Sequence, residues 1–267
     1  MPRLLDVMTD AARQAAESLR RDFGALAGLR VTEKKPSDFV SSADLRSEAI
    51  LREALSGAYP DYDMMLEESA PHAERRDRPR FIVDPLDGTT NFLHGMPHFA
   101  VAIALEVDAV VTAGVVYDVA KDEMFSAEAG QGARLNDAPM SVSAPGPLDR
   151  AVIATGIPHH GGRHHEVYLA ALERVMHQVA GIRRWGSAAL DLCWTAAGRY
   201  DAFFELGLAP WDVAAGMLLV REAGGSVSRA DGSDTALDAR DVLATNGDPL
   251  HAEMVRLLEP IHGVGSA

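Results

Sequence analysis

The period of the apolar positions changes along the chain, and that change predicts the order of elements. In "LLDVMTDAARQAAESLRRDFGAL" apolar and charged residues fall on an amphipathic pattern, which predicts a first helix from about Leu4 to Leu26. A second helix follows "SSAD", with Leu45, Ala49, Leu51 and Leu55 at helical spacing. Strands are predicted at Met64–Glu67 and Phe81–Asp84. A hairpin of "FAVAIALEV" and "VVTAGVVYDV" follows, joined by a short acidic turn. "DEMFSAEAG" and "GARLN" read as further short strands with glycine-marked turns.

The later part alternates. "AVIATG" reads as a strand before a helix from about Arg163 to Val179, and "IRRWG" as a short strand. Ser187 is placed to cap the helix "AALDLCWTAAG", which ends at Gly198. "YDAFFEL" reads as a strand, Pro210 opens the helix "WDVAAGMLLVREAGG", and strand "DVLATN" precedes a last helix from Pro249 to Leu258. An early antiparallel meander and a later alternation predict an α/β protein with sheets packed between helices. Two halves are expected, residues 1–148 and 149–267, with a junction near Pro145–Arg150.

Composition narrows the function classes. The chain has 267 residues and a formal net charge of −14. The acidic balance argues against a nucleic-acid backbone as partner, since that needs clustered Lys and Arg. It fits a protein that holds cations, although on charge alone an ordinary solubilising surface is the plainer reading. The longest apolar runs are too short to span a bilayer, and the N-terminus lacks the pattern of a secretory signal, so a cytoplasmic protein is expected. A single Cys excludes an internal disulfide, and Cys193 lies in an apolar helical pattern as a core residue.

Candidate chemistry gathers in "FIVDPLDGTTNF", residues 81–92. An apolar strand delivers Asp84 to its end, where α/β folds place ligands. Pro85 cannot donate to the ladder and turns the chain. That turn frees the Leu86 carbonyl and returns Asp87 toward the same mouth. Gly88 allows close backbone approach, and Thr89 and Thr90 open a helical turn whose N–H groups suit a phosphate. The set reads as hard oxygen ligands for Mg²⁺ beside anion donors. The competing reading is a Pro-x-Asp-Gly surface turn. Two further stretches add weight: Glu67 and Glu68 end another apolar strand, and Asp212 sits in the first turn of a helix. Each alone also reads as a solvated strand end or an acid favoured by the helix dipole.

At "LEES", "DPLDGTTNF", "GSAALDLC" and "ELGLAPWDVAAG…EAGG" the sequence resembles the inositol monophosphatase family of Mg²⁺-dependent, lithium-sensitive phosphatases. Weaker agreement runs from "KKPSDFVSSAD" almost to the C-terminus. The resemblance implies a layered αβαβα sandwich, a homodimer and two or three Mg²⁺ per site. By position, it gives Glu67, Asp84 and the Leu86 carbonyl to a first metal, and Asp84, Asp87 and Asp212 to a second. Glu67 also faces a weaker third through water. Gly88 and Thr89 would bind phosphate, while Asp87, Ser187, Ala188 and Glu205 would meet substrate hydroxyls. Asp44 and Lys34 would belong to an N-terminal loop over the site. The sequence departs from the family in carrying Leu66 where a Gly often precedes the Glu pair, and Lys35 competes with Lys34 for the loop role.

The resulting expectation is hydrolysis of inositol monophosphate by a water attacking in line, with Thr89 and Glu67 orienting and helping to deprotonate it. Fructose 1,6-bisphosphate, histidinol phosphate and 3′-phosphoadenosine 5′-phosphate are the rival substrates, served by relatives of the same metal core. A rival of another class is binding to the transcription antitermination machinery, known for some bacterial relatives, with Arg183 and Arg184 before Trp185 as a candidate surface. The histidines at 159, 160, 164 and 165 lack metal-ligand spacing, and no G-x-G-x-x-G or nucleophile elbow is present.

Overall fold

The computed structural model describes residues 3–35, 38–69, 78–158, 164–238 and 240–263, the side chains of residues 34, 35 and 38 excepted. The chain opens with α1 (Leu4–Phe23), the hairpin β1 (Val31–Lys35) and β2 (Asp38–Ser41), and α2 (Ser42–Ala58). β3 (Asp63–Leu66) and β4 (Arg80–Asp87) lead to a short α3 (Thr89–Leu93). A meander follows: β5 (Ala100–Val107), β6 (Val110–Asp118), β7 (Glu123–Glu128), β8 (Ala133–Leu135) and β9 (Ala138–Met140). Then come β10 (Val152–Thr155), α4 (His165–Met176), β11 (Gly181–Arg183), α5 (Ala188–Ala196), β12 (Ala202–Leu206) and α6 (Pro210–Glu222). β13 (Ser226–Ser228), β14 (Asp241–Thr245) and α7 (Leu250–Leu257) complete it.

Five layers result. Strands β3 to β9 form one seven-stranded sheet in sequence order; β3 and β4 are parallel and the rest antiparallel. The second sheet has the order β11-β10-β12-β14-β13. The apolar stripe of α1, from Leu5 through Met8, Ala12 and Ala15 to Leu19, packs with α2 on one face of the large sheet. α5 and α6 fill the space between the sheets, and α4 and α7 cover the outer face of the small one. This is an αβαβα sandwich. β4 and β5 are buried on both faces, which is why they read as continuous apolar runs. Among the described residues no helix is long and apolar enough to cross a membrane.

The central layer is tight. A Cβ on Gly216 of α6 would stand 2.6 Å from Leu192 Cβ of α5, and one on Gly114 of β6 would stand 3.1 Å from the Ala215 backbone. These glycines let α6 seat against both neighbours.

Several local boundaries differ from expectation. α1 stops at Phe23, where Gly24 caps it. β4 runs through Pro85 to Asp87 instead of ending at Asp84. Its register skips from Asp84↔Ala102 to Asp87↔Ala100, so Pro85 produces a bulge with one extra residue, not a strand end. The hairpin β1–β2 and strands β9 and β13 are short and carry too little apolar alternation to announce themselves.

Candidate active site

The bulge in β4 builds the centre of the site. Asp84 Oδ1 accepts the Leu86 N–H at 2.9 Å, folding the carboxylate over the extra residue. Ser47 Oγ of α2 donates to the Pro85 carbonyl at 2.7 Å. Gly88 then adopts φ +85°, a conformation suited to glycine, and caps α3. A Cβ on Gly88 would meet the His98 carbonyl at 3.0 Å. Phe92, fully buried against Phe23 and Phe99 at ring distances of 5.5 and 4.9 Å, pins this short helix to the core.

Four acids converge. Carboxylate oxygens of Asp84, Asp87 and Asp212 lie within 4.8 Å of one another. Asp212, third residue of α6, is held by the Ala209 N–H at 2.7 Å. Glu67 follows β3 directly and shares a hydrogen bond with Asp84. Burial raises Asp84 well above the ordinary carboxylate range, and the charges of Glu67, Asp87 and Asp212 push the same way. Asp212 is raised by burial, then by Asp87. Asp87 is pushed up to about 6, chiefly by burial, which the Ser187 hydroxyl and Ala189 N–H oppose. All-oxygen donors, clustered and mutually repelling, are what a hard divalent cation neutralises, so the residues fit the expected metal.

On one side the cluster meets α5. Ser187 caps that helix, its hydroxyl accepting from Leu190 N at 3.3 Å and donating to Asp87 Oδ2. Ala189 N donates to the same oxygen at 3.0 Å. Ala188 begins α5 between them. Glu205, near the end of β12, lies so close to Gly156 that a Cβ there would fall 1.9 Å from the Glu205 carboxyl carbon. Its surroundings push Glu205 up to about 8 by desolvation; Arg184 opposes this and Asp87 adds to it.

On the other side lies α2. Asp44, expected on a loop over the site, is instead a fully buried residue in the first turn of α2, and this corrects the loop assignment. The physical reason is its capping box: Asp44 Oδ2 accepts from Ser41 N at 2.9 Å and Ser41 Oγ at 2.6 Å. Its other oxygen accepts from Thr89 Oγ1 at 3.1 Å. Thr89 Oγ1 also stands 3.0 Å from the Leu86 carbonyl. Lys34 lies in β1, with a side chain outside the described residues. Sequence reasoning missed that Asp44, Ser47 and Glu48 form one polar stripe on α2. Glu48 Oε2 accepts from Glu68 N at 2.8 Å and Ser69 N at 3.3 Å, fixing the turn that carries Glu67. Three polar residues at i, i+3 and i+4 on an otherwise apolar face were the available signal.

His159 and His160 lie outside the described residues; among the described ones, the metal-holding group found is Asp84, Asp87 and Asp212, without histidine. Cys193 is buried in the core.

An interleaved sandwich with a carboxylate-lined bulge at the mouth of its sheet defines a class of metal-dependent phosphatase folds, and the chain's relatives fall in it. The model of the inositol monophosphatase family matches residues 2–262, and the chain belongs to that family. It is 50% identical over 243 residues to an inositol-1-monophosphatase of Mesorhizobium japonicum, covering 91% of each chain. It is 36% identical to the Nus factor SuhB of Escherichia coli, covering 97% of each. Among solved structures, the extragenic suppressor protein suhB of Bartonella henselae aligns with TM-score 0.90 at 45% identity, over 98% of this chain and 99% of that one. An IMPase of Thermotoga maritima aligns with TM-score 0.87 at 31% identity, over 98% and 99%.

Proposed function

We propose that this protein hydrolyses inositol monophosphate to inositol and phosphate. The observation that carries the reading is the convergence of Glu67, Asp84, Asp87 and Asp212 beside the Gly88–Thr89 turn. Glu67, Asp84 and the Leu86 carbonyl would hold one Mg²⁺, Asp84, Asp87 and Asp212 a second, with Glu67 facing a weaker third. Bound there, the ions would neutralise the carboxylates, draw in the phosphoryl oxygens and acidify the attacking water.

The chain's own groups supply position and proton transfer. The first N–H groups of α3, from Gly88 and Thr89, orient phosphate oxygens. Thr89 has one hydroxyl proton and two acceptors in reach, Asp44 Oδ1 and the Leu86 carbonyl. Donating to Asp44 leaves the Thr89 oxygen free to accept from water, with Glu67 helping to orient it. As the water oxygen bonds to phosphorus and the ester P–O bond breaks, the water's proton passes to Thr89 Oγ1 and Thr89's own to Asp44, while the departing inositol oxygen takes a proton from solvent water. Burial raises the Asp44 carboxyl, which makes it the better base. Opposite, Ser187, Ala188, Asp87 and Glu205 receive the hydroxyls of the polyol.

The test is a substrate profile in Mg²⁺. The highest kcat/KM is expected on inositol 1-phosphate, against fructose 1,6-bisphosphate, histidinol phosphate and 3′-phosphoadenosine 5′-phosphate; preference for any of these overturns the substrate. Inhibition by lithium, a cytoplasmic homodimer and Mg²⁺ as the resident metal belong to the same proposal, supported by the family resemblance. A second reading adds a role in a transcription complex. It is favoured by the relatives named Nus factor and by Arg183, Arg184 and Trp185 standing exposed before Ser187. Retention of transcription factors on a metal-ligand variant in a pull-down would support it, and none bound would refute it.

A further inference from the structure

Asn91 belongs to the motif "DPLDGTTNF" and has no place in the chemistry above. It is buried, at 4% exposure, on the third position of α3. Its side-chain amide nitrogen lies 2.8 Å from the His98 carbonyl, 2.8 Å from the Trp185 carbonyl and 3.3 Å from the Gly186 carbonyl. Three acceptors around one atom fix it as the NH₂ end of the amide, since an oxygen there would face three carbonyl dipoles. One N–H serves His98, at the entry to β5. The other is shared by Trp185 and Gly186, on the loop that ends in Ser187 and starts α5.

The surroundings leave this loop little freedom. A Cβ on Gly88 would stand 3.0 Å from the His98 carbonyl and 3.5 Å from the Gly186 carbonyl, the same two groups that Asn91 holds. Gly186 has φ +84°, and a Cβ on it would stand 2.5 Å from Arg184 Nη1. The phosphate turn and the loop before α5 are therefore clamped through one amide, across 94 and 95 residues of sequence. Among the described residues, the other side-chain hydrogen bonds between the β4–α3 turn and the start of α5 end on Asp87. Asp87 is a proposed metal holder, so those links share a carboxylate with the ions, whereas the Asn91 clamp touches none of the four acids.

We infer that Asn91 is a positioning residue for substrate selectivity: its amide sets the distance between the phosphate turn and the hydroxyl-binding groups of Ser187 and Ala188. This rests on the reading that the phosphate sits at Gly88–Thr89 and the polyol at α5. An ester without a polyol needs the first element and not the second. Losing the clamp should therefore change the ratio of activities on two esters, not merely the amount of active protein.

The experiment compares kcat/KM for inositol 1-phosphate with that for 4-nitrophenyl phosphate, in saturating Mg²⁺. The variants are Asn91→Ala and the isosteric Asn91→Asp, which turns an acceptor toward the three carbonyls. The wild-type protein should favour inositol 1-phosphate; if it does not, the substrate reading fails and the clamp is not at fault. Given that preference, the ratio should fall about tenfold in either variant, the loss of roughly one buried hydrogen bond, with the change carried by KM for inositol 1-phosphate. A ratio unchanged in variants whose circular dichroism is native overturns the inference, as does an equal loss on both esters. Should Asn91→Ala not fold, Asn91→Asp decides. Gly186→Ala, which strains a φ of +84° and sets a methyl 3.5 Å from the Asn91 amide nitrogen, should lower the ratio in the same sense, and an unchanged ratio there also counts against it.

Discussion

The four converging carboxylates give stability a pH dependence that metal should reverse. The perturbation is removal of divalent ions with a chelator. Asp87 has a folded pKa of about 6 against an ordinary 3.8. Its folded value is raised, so its stabilising contribution is complete below the unfolded value and disappears as pH rises through about 6. At 1.36 kcal/mol per pH unit, the gap between about 6 and 3.8 is on the order of 3 kcal/mol, held jointly by Asp87 and the acids that surround it. Burial and neighbouring charge displace Asp84 and Asp212 in the same direction. A loss of ~3 kcal/mol lowers Tm by roughly 6–12 °C in a chain of this size. Burial lowers His98 to about 3, so that group gains stability over the same range and opposes the acids. Thermal unfolding followed by circular dichroism in chelator is therefore compared with Asp212→Asn: relative to that variant, wild-type Tm should fall between about pH 4 and 7. In saturating Mg²⁺ the fall should shrink or invert, because ionised carboxylates are the form that binds. Asp212→Asn controls for the general acidity of the chain: it removes one displaced group and should flatten the chelator curve. A wild-type Tm in chelator that does not fall relative to Asp212→Asn over that range would refute the reasoning.

Other expectations follow from single contacts. Gly156→Ala places a methyl within 1.9 Å of the Glu205 carboxyl, a flexible tip that turns away at little cost in stability. Like Glu205→Gln, it should raise KM for inositol 1-phosphate by a few-fold to about tenfold near neutral pH, the value of one hydrogen bond to a protonated Glu205, with Tm nearly unchanged. Thr89→Val removes the hydroxyl between water and Asp44 and should cut kcat by about a hundredfold or more while Mg²⁺ still raises Tm; wild-type kcat would exclude the proton path. Phe92→Ala empties the site under α3 and should cost about 3–5 kcal/mol in denaturant unfolding, a loss absent if α3 is held by its backbone alone.

Much of this was legible in the sequence, and for a physical reason. Strands β4 and β5 are buried on both faces, so their apolar runs stand out, and Pro210 and Ser187 mark helix starts by their capping chemistry. The acids at 84, 87 and 212 are conspicuous only in combination, since each alone also fits a surface turn or a dipole-favoured helix start, and it is their joint occurrence with the rest of "DPLDGTTNF" that singles them out. Less legible were features defined by a partner distant in sequence. Asp44 reads as a loop acid until α2 begins two residues earlier, and its bond to Thr89 spans 45 positions. The bulge at Pro85 needs the register of β5 to be seen. Nothing local announces that Gly156 makes room for Glu205.

The near contact between Gly114 and the Ala215 backbone also bears on catalysis from a distance. Asp212 travels with α6, whereas Asp84 and Asp87 travel with the large sheet, so the depth at which the helix beds down gauges the span between the ligands. A buried residue with no charge thus calibrates the spacing of the acids proposed to hold metal, and swapping it for alanine would shift that spacing by a few tenths of an ångström without altering any of them.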